Sequence, residues 1–157
     1  MKKLLLVLAA VGVAACQPTP PSTRVNDTAP GAATPEAAVQ RFFNAARAQD
    51  LQAISAVWGT SKGPARDNME RGELEKREVI LQCYFNNDTY RILGVSPTAE
   101  GRRSVRVELV RQGKTRTPTV YTVQGPSSRW YVENLDIAAV RDFCAMAPSN
   151  PGELRGR

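Results

Sequence analysis

The stretch TPEAAVQRFFNAARAQDLQAISAVWG, residues 34–59, is where the reading of the fold turns. Thr34 suits an N-cap, Pro35 the first helical position, and Glu36 the positive end of a helix dipole. Val39, Phe42, Phe43 and Ala46 then recur at helical spacing. Asp50 is placed to start a second, shorter helix carrying Leu51, Ile54, Val57 and Trp58, with Gly59 ending it. Two helices, the first with a strong aromatic face, therefore open the folded part of the chain.

Working toward the C-terminus, Thr60 to Arg66 reads as a loop around Lys62, Gly63 and Pro64. A third helix is predicted from about Asp67 to Tyr84, with Met69, Leu74, Val79, Ile80 and Leu81 as an imperfect apolar stripe and Glu73 set to meet Arg77 on the outer face. Gly72 costs that helix about 1 kcal/mol. After Asn86-Asn87-Asp88 the period changes to two. Tyr90 to Val95 reads as a strand, and in Ser104 to Arg111 the residues Val105, Val107 and Leu109 alternate with Arg106 and Glu108. Gln112-Gly113-Lys114 reads as a hairpin turn. Thr117 to Gln124 is a third strand, with Pro118 at its start or on an edge, and Trp130 to Leu135 is a fourth after the turn at Gly125-Pro126-Ser127-Ser128. Asp136 caps a last short helix, Ile137 to Cys144. Helices first and strands after predict an α+β fold: N-terminal helices packed on a curved four-stranded antiparallel sheet.

Working toward the N-terminus, residues 16–33 hold Pro18, Pro20, Pro21 and Pro30 among Thr, Ser, Ala and Gly, a composition that cannot offset its ordering entropy by burial. They are read as a tether. Before them, Lys2 and Lys3 precede an apolar run, Leu4 to Ala15, that is shorter than the roughly 20 residues needed to span a bilayer. The run closes on Val13-Ala14-Ala15-Cys16. Residues 1–15 have the parts of a secretory signal, and the closing tetrapeptide resembles the lipobox of bacterial lipoproteins. That resemblance implies cleavage before Cys16, fatty acylation of its thiol, and a membrane anchor of more than one acyl chain, as stable anchoring requires. An ordinary cleaved signal with Cys16 as a bystander is the alternative. Gln17, rather than Asp, points to the outer membrane facing the periplasm if the cell has two membranes. The organisation is then signal 1–15, tether 16–33, one α+β domain 34–146, and a mobile tail 147–157.

Composition narrows the chemistry. The 157 residues carry a net charge of +6, to which Lys2 and Lys3 contribute, so the excess suits anionic surfaces without demanding them. There is no histidine, which removes the usual general base, the usual zinc ligand and every His-based triad. No cofactor motif is present. Apart from Cys16, the cysteines are Cys83 and Cys144, and in an oxidising compartment such a pair is expected to bond, closing a loop of about 60 residues. Two buried free thiols are the other possibility.

The order Thr34-Pro35-Glu36-Ala37-Ala38-Val39, Phe42-Phe43, Asp50-Leu51, with the closing Gly125 to Trp130-Tyr131-Val132 turn and strand, resembles small nuclear transport factor 2-like (cystatin-like cone) domains, in particular the uncharacterised lipoprotein branch of that superfamily. The resemblance covers residues 34 to 144. It implies a curved sheet wrapped on a long helix, leaving a cone-shaped pocket. It implies no activity, because the superfamily holds isomerases and dehydratases beside plain binding domains.

Three constellations follow. Enzymes of the fold use a Tyr or an acid inside the cone, for which the candidates are Tyr84, Tyr90, Tyr121, Tyr131, Asp88 and Glu108, the last read as facing solvent. Phe43, Trp58, Val107, Tyr121, Trp130 and Val132 either line an apolar ligand pocket or fill the core. Arg102, Arg103, Arg106, Arg111, Lys114, Arg116 and Arg129 form either an anion-attracting face or an ordinary solvated sheet surface. Nucleic acid is not an expected partner, since aromatics are not interleaved with the basic residues. The expected reading is a lipid-anchored envelope lipoprotein with a non-enzymatic binding or protein-interaction domain, whose partner is an envelope protein or an anionic envelope polymer. A carrier of small apolar ligands and a His-free isomerase or dehydratase are its alternatives.

Overall fold

The computed structural model describes residues 28–145. Cys16, the signal, most of the tether and the tail from Met146 lie outside the described residues. The opening helices form where their caps place them. In α1 (Pro35–Ala48) the Thr34 hydroxyl accepts from the Ala37 N–H at 3.1 Å, and Gln49 ends the helix in the left-handed region at φ 57°. Its buried face is Ala38, Val39, Phe42, Phe43, Ala45 and Ala46. In α2 (Leu51–Val57) the Asp50 carboxylate accepts from the Ala53 N–H at 2.9 Å.

Trp58 does not extend α2. It is already extended backbone and bridges in parallel to Val132. The segment read as a loop then folds into a small hairpin, β1 (Gly59–Thr60) against β2 (Gly63–Pro64). A Cβ at Gly59 would lie 2.2 Å from the Gly63 carbonyl oxygen, so the two backbones meet only because position 59 is glycine.

The predicted third helix is two, α3 (Ala65–Asn68) and α4 (Arg71–Phe85). The break falls at Met69-Glu70 because Glu70 serves as the cap of α4, its carboxylate accepting from the Glu73 N–H at 3.0 Å. Gly72 therefore sits in a first turn. The outer pair Glu73–Arg77 forms at 2.6 Å. The inner face of α4 is Leu74, Glu78, Leu81 and Phe85, whereas Val79 and Ile80 are exposed.

The sheet has five strands: β3 (Thr89–Pro97), β4 (Arg103–Arg111), β5 (Lys114–Arg116), β6 (Thr119–Gln124) and β7 (Trp130–Leu135), in the order β3-β4-β6-β7 with β5 continuing along β4. All ladders are antiparallel. The extra strand arises because Pro118 divides the predicted third one, and its carbonyl takes the Val107 N–H at 3.1 Å. Gln112 and Gly113, at φ 48° and 74°, make the two-residue left-handed turn that suits strand twist. Bulges at Leu93 and Glu133 break the register and bend their strands. The last predicted helix is only a 3-10 turn (Ala138–Val140) with further turns to Ala145; Ile137, not Asp136, stands at its N-cap, and the Asp136 carboxylate accepts from the Ala139 N–H at 3.2 Å.

The architecture is thus α+β, helices first and a mostly antiparallel sheet after. The packed unit begins before Thr34. Ala32 is fully buried and exchanges backbone hydrogen bonds with Trp130. The carbonyls of Ala29, Pro30 and Gly31 accept from the Arg129 guanidinium, and those of Ala29 and Gly31 from Arg41 as well. The Cys83–Cys144 disulfide is formed, with Cα atoms 4.9 Å apart.

Candidate functional site

The interior between α1 and the sheet is filled by side chains. Phe42, Phe43 and Phe85 meet edge to face at centroid distances of 5.5, 5.8 and 6.1 Å. Val105, Val107 and Leu109 of β4 close over them, fully buried, as are Val120 and Val132. Phe43, Val107 and Val132 of the candidate pocket belong to this core. Tyr121 does not: the pleat that turns Val120 and Thr122 inward turns Tyr121 outward, where it is exposed. Trp130 is half-buried on the β7 edge beneath the Arg103 guanidinium, 5.7 Å from its ring. Of the six, Trp58 alone lines a described cleft.

The seven basic residues do not form one face. Arg111 has the same parity on β4 as the valines, so it is buried, and it donates to the carbonyls of Cys83 and Phe143 at 3.0 and 2.9 Å. It is a clamp beside the disulfide. Arg129 holds residues 29–31. Arg116 and Lys114 face Asp142 at 2.6 and 3.9 Å. The Asp142 carboxyl is accordingly held below the usual carboxylate value, mainly by the Arg116 hydrogen bond. Arg102 forks onto Glu133, at 2.5 and 3.3 Å, and also pairs with Glu100. Arg106 is exposed on the outer face.

Three of the proposed acids and phenols have partners. Glu108, half-buried on β4, pairs with its cross-strand neighbour Arg91 at 3.0 Å. Asp88 accepts from the Gln112 N–H at 2.6 Å. The Tyr90 hydroxyl lies at 3.3 Å from the Gln40 carbonyl and 3.2 Å from Asn44 Oδ1. Tyr131 is buried, and burial pushes its phenol up. Tyr84 packs against the core cluster from its edge. None of them lines a described cleft.

The acid that sequence reasoning missed is Glu78. It occupies a slot of the α4 inner face that its neighbours Leu74, Leu81 and Phe85 mark as core, and its Oε1 has no hydrogen-bond partner. Burial pushes its carboxyl up, partly opposed by a hydrogen bond with Ser55 of α2. The 3.6-residue period through Leu74 and Leu81 was the signal that could have found it. With a raised folded-state pKa, its contribution to stability is intact below the ordinary carboxylate value of about 4.3 and is lost as pH rises through the raised value. Glu78→Gln is therefore expected to be more stable than the parent at pH 8, with the gain shrinking toward pH 4. Urea midpoints of both chains at the two pH values check this; equal gains at both would remove the role of ionisation.

A two-lobed cleft lies beside this packed interior. Where α2 ends, Trp58 turns into the β1–β2 hairpin, and the bulge in β7 re-aims Glu133 toward it. Trp58, Arg77 and Glu133 are shared by two adjoining lobes. One, of about 430 Å³, runs along the hairpin past Lys62, Asn68 and Met69. The other, of about 210 Å³, is walled by Ile80, Leu81, Leu135 and Ile137. A separate groove of about 550 Å³ between α1 and α2 is lined by small residues, among them Ala45, Ala48, Ala53 and Ala56, together with polar side chains such as Asn44 and Asp50, and its Arg41 donates to the Ala29 and Gly31 carbonyls. Among the described residues no group of three or more His, Cys, Asp or Glu is placed to hold a metal ion. No described helix is long and apolar enough to cross a membrane.

No family model matches this chain, and no curated protein matches it. Among solved structures it is similar to a structure of an M.tuberculosis LEH-like epoxide hydrolase, at 15% identity and a TM-score of 0.33, over 69% of this chain and 86% of that one. At that TM-score the likeness carries no argument about activity.

Proposed function

We propose that the chain is a lipid-anchored cell-envelope lipoprotein whose nuclear transport factor 2-like domain is a non-enzymatic binding or interaction module. The observation that carries the second half is the packed interior: Phe42, Phe43, Phe85 and the inward valines occupy the space where a cone-shaped pocket would hold a substrate. It weighs equally against a ligand carrier that uses the cone. The support for the anchor is the Lys2–Cys16 segment, together with a disulfide that suits an oxidising compartment. With residues 29–32 fastened to the domain, the span from Cys16 to Thr28 reaches at most about 40 Å. The end of the domain that carries Arg41 and Arg129 is then the one tied near the membrane.

Cell fractionation with intact-mass analysis tests this. The natural chain is expected in the envelope fraction, lacking residues 1–15 and heavier by a lipid, while Cys16→Ser abolishes the lipid adduct. Recovery of the unprocessed polypeptide from the cytosol with all three thiols reduced would overturn the proposal.

A further inference from the structure

We infer that the two-lobed cleft at Trp58, Arg77 and Glu133 binds a small amphiphile: an alkyl chain in the apolar lobe and a carboxylate or similar anion in the polar one. The apolar lobe is bordered by Ile80 and Ile137, large side chains that stand 48% and 37% exposed in a molecule whose other apolar residues are mostly covered. Filling it removes that surface from water. The sign of the head group follows from which charges are already used. Each carboxylate oxygen of Glu133 accepts from the Arg102 fork, so its charge has a partner outside the cleft. Arg77, which lines the cleft, donates its Nε to Glu73 and has further N–H donors on the same guanidinium. Lys62, across the polar lobe, has no acidic partner among the described residues. With Arg77 paired to Glu73 and Glu133 to Arg102, Lys62 is the charge lining the cleft that an incoming anion would meet without an ion-pair partner among the described residues.

The inference deepens the binding-module reading, yet it stands apart from the anchor, so a failure of the fractionation test leaves it untouched. The indole of Trp58 supplies the readout, since the only other tryptophan, Trp130, lies outside both lobes. The chain from Gln17 to Arg157, which contains every described residue, is prepared with Trp130→Phe. It is titrated with decanoate, decanol and decyltrimethylammonium below their micellar concentrations. Saturable change in Trp58 emission is expected, with decanoate about tenfold tighter than the ammonium compound, a ratio equal to roughly 1.4 kcal/mol. Lys62→Gln with Arg77→Gln removes that preference while leaving decanol binding unchanged, and Ile80→Asp weakens all three probes. Lys62, Arg77 and Ile80 are all exposed, so the variants are expected to fold, and circular dichroism checks that they do. Equal or tighter binding of the ammonium compound, an unchanged decanoate affinity in the double variant, or no saturable signal from any probe would overturn the inference.

Discussion

Replacing Cys83 and Cys144 together by alanine is expected to lower the unfolding free energy by about 4 kcal/mol, the loop-closure entropy of a crosslink of this span. The two cysteines are 61 positions apart and join the end of α4 to the C-terminal turns. A single domain has only about 5–15 kcal/mol in total, so the loss is between roughly a quarter and four-fifths of the margin. It should still fold, because Arg111 holds the same two segments through the Cys83 and Phe143 carbonyls, and Phe143 and Val140 remain buried. Urea unfolding of the parent with and without reductant, beside the double variant, measures the difference. The reduced parent and the variant should agree. A loss under about 1 kcal/mol would mean that Arg111 and the buried Phe143 alone hold the C-terminal segment and that the unfolded chain gains little freedom from the cut.

The second large effect is expected at Phe85. Its ring contacts both Phe42 and Phe43 at centroid distances of 5.8 and 6.1 Å, and it is fully buried. Phe85→Ala should cost about 3–5 kcal/mol, from lost transfer energy and the void left among rigid neighbours. Phe85→Leu, which keeps most of the volume, should cost roughly half as much. The experiment also bears on function. If the interior between α1 and the sheet were loosely filled, neighbouring side chains would collapse into the gap and the alanine variant would lose less than about 1.5 kcal/mol. That outcome would reopen this interior as a ligand cavity.

Much of the fold was legible because its determinants are local. The N-caps at Thr34 and Asp50 act on amides three residues away. The alternation of Val105, Val107 and Leu109 reports one buried face over a few positions. Boundaries failed where a longer-range contact intervened. Trp58 leaves helical geometry for a bridge to Val132, and the strand at Pro118 divides because its ladder bond cannot form. Residues 29–32 looked like tether because nothing nearby reveals that Arg41, Arg129 and Trp130 receive them.

The candidate site was less legible for the same reason. Charge suggested that Arg111 belongs to a solvated or anion-attracting face, and Glu78 was not singled out; parity along β4 and the helical period along α4 place both inside. Trp58 alone of the pocket candidates reached a cleft, and Glu133, Arg77 and Lys62 were not suspected of lining it.

By itself, then, the order of amino acids determined the α+β class, the caps, the sheet periodicity and the pairing of Cys83 with Cys144, all of which depend on neighbours in the chain or on counting. Tertiary structure alone decided that the interior between α1 and the sheet is packed shut and that a cleft opens beside it. Those outcomes depend on how side chains from α2, α4, β7 and the β1–β2 hairpin share one volume, and on a one-residue bulge that turns Glu133 toward Arg102. Packing and charge pairing across such distances are properties of the assembled whole, which no local pattern contains.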